Sequence, residues 1–300
     1  MIEKIMKTLK LTLTCILLTF IAVLPTVAGP RTFVSGLGND ANPGTREQPK
    51  RLFASALTVT DPAGEVVVLD PAGFASSTLT IDKSVSIIVP AGIFGGIRVT
   101  SGNAITVAAG PDDTVVLRGL TLNSGGTSTG IVFHSGAALH VENCIINGFA
   151  GSGILVSSNA GESARLFVKD TICRRNTSGI RCNVGLSSLD HVRLEQNVSV
   201  GLQVSGSGTQ VSIANSVASG NAYGLIGSGA ELNIEACLVT NNVVSGIHSQ
   251  AGATVRVSNS TVTNNGTGLF NNATLKSRGN NTVDGNTTNV DGTITPLSGM

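Results

Sequence analysis

The sequence predicts an all-β protein, a single-stranded right-handed parallel β-helix of about 10 coils of about 22 residues with a short N-terminal capping helix. Three observations predict it. A Gly followed by Ile or Leu recurs at a nearly constant interval, an Asn precedes most of these pairs, and the residues between them alternate between apolar and polar. A chain with this pattern buries its apolar side chains only by stacking one coil on the next.

Two further columns of residues, most of them polar, repeat at nearly the same interval as the glycines. The glycine column is Gly130, Gly153, Gly179, Gly201, Gly224, Gly246 and Gly268. The asparagine column is Asn176, Asn197, Asn221, Asn242, Asn265 and Asn286. A third column, six residues earlier, is Asp170, His191, Asn215, Ala236, Asn259 and Asn280. Because Asn tolerates left-handed backbone angles and its amide can bond to an identical amide above it, we expect a structural ladder at a coil corner.

Strands of the predicted coils alternate apolar side chains, for example at residues 211–213, 232–234 and 255–257. Residues 65–122 show the same alternation with a looser period and correspond to the first three or four coils. An open sheet edge has to be covered, and residues 51–57, RLFASAL, form a helix pattern where a cap belongs. We therefore expect a strand, a loop and the capping helix over 29–64, the β-helix over 65–290 and a flexible tail over 291–300.

The first 28 residues have the order of a secretory signal peptide. Lys4, Lys7 and Lys10 precede an apolar run over 11–24, and a small-residue exit ends at Ala28. The run is shorter than the roughly 20 residues of a transmembrane helix. We expect a secreted, periplasmic or cell-surface protein with no membrane span after cleavage.

Composition limits the partners. Lysine and arginine total 19 against 18 acidic residues, and the chain has no Trp and one Tyr, so a nucleic-acid partner is not expected. Four cysteines follow the signal peptide, namely Cys144, Cys173, Cys182 and Cys237. Either Cys173 and Cys182 form a disulfide, or all four are small buried thiols.

Several segments carry a family resemblance. They are TFVSGLGNDANPGT at 32–45, the helix pattern at 53–57, LDPAGF at 69–74 and GAALHVENC at 136–144. Together they resemble a group of secreted bacterial right-handed β-helix proteins in the pectin-lyase-like superfamily. Members of that group carry a cysteine on each side of the segment equivalent to 44–50, and this chain has neither. The superfamily includes lyases, hydrolases, epimerases and adhesins, so the resemblance implies a fold and not one activity.

Candidate binding residues follow from the strand after each repeated glycine. Its outward column is predicted to be Val132, Leu155, Arg181, Gln203, Ile226, His248 and Phe270. Arg181, with Arg174 and Arg193, belongs to the densest basic region of the sequence. One interpretation is a solvated surface; the other is an acidic-sugar site in which Arg181 binds a carboxylate and Gln203 bonds hydroxyl groups.

Carboxylates are thinly spread, and the dispersed histidines and acids predict neither a metal nor a cofactor. Glu142, Lys169 and Asp190 are expected to stack on successive coils. A surface charge ladder is favoured over a catalytic pair of Glu142 and Asp190.

Two functions remain. The first is a surface or periplasmic module that binds glycans or has a structural or adhesive role, with an extracellular or cell-wall polysaccharide as partner. The alternative is a polysaccharide lyase or hydrolase that acts on an acidic, uronate-containing polysaccharide. The sequence leaves the oligomeric state open.

Overall fold

Short parallel strands are the main regular secondary structure of the described residues. The computed structural model describes residues 29–126 and 128–297. The predicted signal peptide lies outside the described residues, as do the last three residues of the predicted tail.

Among residues 29–126 and 128–147 the structure has one α-helix, α1 (Phe53–Leu57), between the first two strands. The strands of this part are β1 (Gly29–Val34), β2 (Thr60–Val68), β3 (Ala72–Ala75), β4 (Leu79–Ile81), β5 (Val85–Ile88), β6 (Gly95–Val99), β7 (Ile105–Ala108), β8 (Thr114–Arg118), β9 (Leu120–Ser124), β10 (Ile131–Ser135), β11 (Ala138–Glu142) and β12 (Ile145–Asn147).

The second part adds a short 3-10 helix, Ser158–Ala160, after its first strand. The strands of this part are β13 (Ser152–Val156), β14 (Arg165–Lys169), β15 (Ile172–Arg174), β16 (Ser178–Cys182), β17 (Leu186–Asp190), β18 (Arg193–Glu195), β19 (Val200–Ser205), β20 (Gln210–Ala214), β21 (Val217–Ser219), β22 (Tyr223–Ser228), β23 (Glu231–Glu235), β24 (Leu238–Thr240), β25 (Ser245–Gln250), β26 (Thr254–Ser258), β27 (Thr261–Thr263), β28 (Thr267–Asn271), β29 (Thr274–Ser277), β30 (Thr282–Val283), β31 (Thr288–Asp291) and β32 (Ile294–Pro296).

Every third strand joins the same parallel sheet. Sheet A runs β1, β2, β5, β8 and so on to β32; sheet B runs from β3 to β30; sheet C runs from β4 to β31. One coil therefore passes through A, B and C in turn, and ten such coils stack over the described residues. Alternate side chains of each strand point inward and build one continuous apolar core. The predicted β-helix is confirmed.

The asparagine column is a buried amide ladder at the corner between sheets B and C. The Nδ2 atom of Asn197 donates to Oδ1 of Asn221 at 3.0 Å, and Nδ2 of Asn221 donates to Oδ1 of Asn242 at 3.1 Å. The backbone N–H of each residue bonds to the same oxygen of the next asparagine. Because the side chains are almost fully buried, these bonds replace the water that the corner excludes.

The glycine column has a steric cause. A Cβ atom at Gly201 would lie 2.6 Å from the carbonyl oxygen of Gly224, and one at Gly179 would lie 2.4 Å from that of Gly201. The coils approach each other too closely here for any side chain. The Gly-Ile and Gly-Leu pairs are therefore part of the architecture.

The third column forms the bend between sheets A and B. Asp170, His191, Asn215, Ala236 and Asn259 all have φ between 48° and 53°. Asn and Asp tolerate this left-handed conformation, whereas Ala gains no side-chain hydrogen bond from it.

The two ends of the stack differ. At the N-terminal end Phe53 and Leu57 of α1 are buried, and the ring of Phe53 lies 5.1 Å from that of Phe74. At the other end β32 pairs with β29, so the ladder continues past residue 290, where the sequence predicted a flexible tail. The exposed edge of sheet A offers that segment unpaired backbone groups.

Residues 29–126 and 128–297 include no helix with the length and apolarity that a membrane crossing requires.

Candidate functional site

The predicted outward column of sheet C has the expected register. Val132 pairs with Leu155, Leu155 with Arg181, and Arg181 with Gln203. The column then continues through Ile226, His248 and Phe270. Arg181 is half-buried between its neighbours, and its Nε atom is buried without a hydrogen-bond partner. Arg181 and Gln203 therefore lie side by side.

The other two predicted binding residues lie elsewhere. Arg174 and Arg193 belong to sheet B, where Arg174 is in register with Glu195 and Arg193 with Ile172. The Nε atom of Arg193 donates to Oε1 of Glu195 at 2.8 Å. The basic region of the sequence is thus divided between two faces of the coil, because the corner after Arg174 turns the chain from sheet B to sheet C.

The carboxylates on sheet A form a charge ladder. Glu142 stacks between Arg118 and Lys169, and Lys169 is followed by Asp190. The Nε atom of Arg118 donates to Oε2 of Glu142 at 2.8 Å. The Nδ2 atom of Asn215, which donates to Asp190 at 2.9 Å, lowers the pKa of that carboxyl, with a smaller contribution from His191. A general acid needs the opposite shift, so the geometry favours the ladder over a catalytic pair.

The four cysteines among the described residues are free thiols, and all four are buried. Burial raises the pKa of Cys144 to about 12 and that of Cys182 to about 11. A thiol with so high a pKa is neutral and unreactive at physiological pH. Cys173 and Cys182 could have formed a disulfide or remained buried thiols, and in the structure they are buried thiols.

A cleft of about 450 Å³ opens on sheet B at the N-terminal end of the stack. We call it the arginine cleft. Its lining residues are Arg51, Leu52, Gly73, Ala75, Ser76, Phe94, Gly96, Ile97, Arg98 and Asn123. Gly73 and Gly96 are adjacent in the sheet. Because neither has a side chain, the cleft is deeper at these two positions. The volume lies in the range of small-ligand sites.

One aromatic ring stands at the edge of this cleft. The Phe94 ring lies over Gly96, where a Cβ atom would come within 2.7 Å of it, and the side chain is 48% exposed. A ring so placed presents an apolar face to the cleft.

Two guanidinium groups also line the cleft. Arg51 is positioned by Nη1, which donates to the carbonyl oxygen of Gly73 at 2.8 Å, and by the ring of Phe74, which lies 5.9 Å below it. Arg98 is exposed and has no ion-pair partner among the described residues. The lining of the cleft includes no Asp or Glu, so the field inside it is positive.

Sequence reasoning missed this cleft. Arg51 precedes the capping helix, Phe94 directly precedes β6 and Arg98 lies within β6, so the three belong to no repeat. One signal was present: two glycines at outward strand positions, Gly73 and Gly96, which mark close approach or open space.

The described residues hold no cluster of three or more His, Cys, Asp or Glu side chains that could bind a metal ion.

Comparison with known proteins identifies the fold. Residues 91–218 match the family described as right handed beta helix region. The pectate lyase Pel9A superposes with a TM-score of 0.62 and 17% identity, over 89% of this chain and 79% of that one. The chain therefore has the right-handed parallel β-helix fold.

A second solved structure has the same fold as this β-helix protein. XylC, solved in complex with xylose, superposes with a TM-score of 0.54 and 8% identity, over 83% of this chain and 70% of that one. No curated protein matches the sequence. At these identities the likeness establishes the fold alone.

Proposed function

We propose that this protein is an exported glycan-binding protein whose arginine cleft holds an acidic sugar of an extracellular or cell-wall polysaccharide. The observation that carries the proposal is that Arg51, Arg98 and the exposed Phe94 ring line one cleft whose lining has no carboxylate.

The chemistry of a uronate matches this arrangement. Guanidinium groups bind carboxylates through two parallel N–H···O bonds, which are stronger than bonds between neutral groups. The C–H face of a pyranose can pack on the Phe94 ring while its hydroxyl groups reach Ser76 and Asn123. Fold similarity to a pectate lyase and to a protein solved with xylose supports a carbohydrate partner.

Binding is favoured over hydrolysis for a chemical reason. Hydrolysis of a glycosidic bond uses two carboxyl groups roughly 5 to 10 Å apart. No Asp or Glu belongs to the lining of the cleft, so its side chains can hold an acidic sugar but offer no such pair.

The test is calorimetric titration with trigalacturonate. Arg98→Ala is expected to weaken binding about tenfold, because a charge-assisted pair contributes about 1.5 to 3 kcal/mol. Arg174→Ala is the matched control, since Arg174 lies in the same outward column of sheet B, three coils away.

Three outcomes contradict the proposal. If the wild-type protein does not bind trigalacturonate, the cleft has another ligand. If Arg181→Ala abolishes binding and Arg98→Ala does not, the acidic-sugar site is on sheet C, as the sequence predicted. If polygalacturonate yields unsaturated products, measured by absorbance with and without calcium, the protein is a lyase.

A further inference from the structure

A second concave surface lies on sheet A. Along the middle of that sheet, successive coils present His140, Phe167, Ser188, Ser212, Asn233 and Arg256 in register. Two small residues thus interrupt a column of large ones. The result is a trough of about 240 Å³, which we call the serine trough, and it is separate from the arginine cleft on sheet B.

One wall of the serine trough is an aromatic ring. The rings of His140 and Phe167 are stacked, with centroids 4.6 Å apart and planes 16° from parallel. His140 lies one coil before Phe167, so the opposite face of the Phe167 ring is turned toward Ser188. The Phe167 side chain is 38% exposed although it is large and apolar. The stack therefore ends on an open ring face.

Ser188 and Ser212 form the floor of the trough, and Arg165, on the same strand as Phe167, also belongs to its lining. Ser188 and Ser212 are both exposed, and their hydroxyl groups have no hydrogen-bond partner within the described residues. Leu186 and Gln210 lie beside them on the same two strands. Hydroxyl and amide groups both donate and accept, so this floor matches a ligand that carries hydroxyl groups.

The opposite wall is an amide held in a fixed orientation. Oδ1 of Asn233 accepts a hydrogen bond from Nη1 of Arg256 at 3.2 Å, and the same nitrogen donates to Oε2 of Glu231 at 2.9 Å. With its oxygen engaged, Asn233 has its Nδ2 group free to donate into the trough. Glu231 is paired with Arg256, which leaves its charge compensated.

We propose that the serine trough is a second glycan-binding site for a neutral oligosaccharide, in which one pyranose ring stacks on Phe167 over Ser188 and the adjoining sugar bonds to Ser212 and Asn233. The ring of such a sugar is about as thick as the coil spacing of ~4.8 Å, so it continues the His140–Phe167 stack by one coil. Its C–H face packs on the aromatic ring, and its hydroxyl groups replace water on the serines. The proposal does not depend on the arginine cleft.

Because the protein has no tryptophan, the fluorescence of one tryptophan introduced at the site reports directly on binding there. Phe167→Trp places one indole at the wall of the serine trough, and Phe94→Trp places one at the arginine cleft. Each variant is titrated with cellohexaose, xylohexaose and mannohexaose, and separately with trigalacturonate. We expect at least one neutral hexasaccharide to produce a saturable change in the fluorescence emission of the Phe167→Trp variant. The same sugar is expected to leave the emission of the Phe94→Trp variant unchanged.

Substitutions in the trough complete the test. By calorimetry on the same sugar, Phe167→Ala is expected to weaken binding about tenfold, and Phe167→Tyr to preserve it, because only the alanine removes the ring face. Ser188→Phe extends the aromatic stack over the floor and is expected to abolish binding. Circular dichroism confirms that each variant is folded, and Val198→Ala, at an exposed apolar position outside the trough, is the control.

Two results would overturn the second site. One is no saturable response to any of the three neutral sugars in either calorimetry or fluorescence. The other is unchanged affinity in folded Phe167→Ala and Ser188→Phe. A response to trigalacturonate at position 94 alone would support the arginine cleft and reject the serine trough, so the two proposals fail separately.

Discussion

The coils after residue 170 and the first coils of the stack use the same fold in different ways. In the later coils Asn and Gly repeat at the corner between sheets B and C, and each of these residues contacts its own kind in the next coil. In the first coils Gly73 and Gly96 face outward, and the space above them is the arginine cleft. The comparison shows that a repeat accounts for residues that serve the stack, whereas the departures from it leave space for a ligand.

The largest expected difference between the two regions concerns asparagine. Asn221→Leu removes the acceptor of the backbone N–H and of Nδ2 of Asn197 and the donor to the carbonyl oxygen of Leu194, and it leaves Oδ1 of Asn242 with one bond from position 221 instead of two. We expect a loss of about 4 kcal/mol in the free energy of unfolding, measured by urea denaturation. Asn123→Ala, at a half-buried position in the first coils, is expected to cost under about 1 kcal/mol. Equal losses of unfolding free energy in the two variants would mean that the asparagine ladder does not stabilise the stack more than an ordinary polar side chain does.

Glycine gives a smaller contrast of the same kind. In Gly201→Ala the new methyl group meets the carbonyl oxygen of Gly224 at 2.6 Å, and we expect a cost of about 2 to 3 kcal/mol. In Gly73→Ala the nearest atom is 4.0 Å away, so the expected cost is within about 0.5 kcal/mol. Thermal unfolding of the two variants checks this. A cost at Gly73 as large as that at Gly201 would contradict the steric account of the column.

The smallest expected effect is a gain. Ala236 has φ 50°, a conformation that disfavours alanine, and its counterparts in the adjacent coils are Asn215 and Asn259. Ala236→Gly removes the conflict between Cβ and the backbone and should raise the free energy of unfolding by about 0.5 to 1 kcal/mol. Ala138→Gly, within a strand, should lower it by a similar amount. Denaturation midpoints of the two variants should therefore move in opposite directions.

Periodicity predicted much of the molecule. The fold, the asparagine ladder, the outward column of sheet C and the stacking of Glu142, Lys169 and Asp190 were all readable from spacing, because each coil repeats the geometry of the last. The sequence grouped Arg174 and Arg193 with Arg181, but the first two lie on sheet B and Arg181 lies on sheet C. Proximity in sequence does not show on which side of a coil corner a residue lies.

Neither concave surface was predictable in this way. Arg51, Phe94 and Arg98 meet because the chain enters the stack beside sheet B, and no spacing rule relates the three. The serine trough depends on aligning Phe167, Ser188 and Ser212, whose coils differ in length.

The sequence by itself determined that the coils stack, which residues occupy their corners and which side chains enter the core. Those choices are local: a corner needs a left-handed bend, a close contact excludes a Cβ atom, and a buried amide needs a partner. Only the tertiary structure decided where polar and aromatic side chains converge on the outside. A surface site depends on the register between coils and on the path of the loops, and the repeat constrains the inward-facing residues far more than those that face solvent.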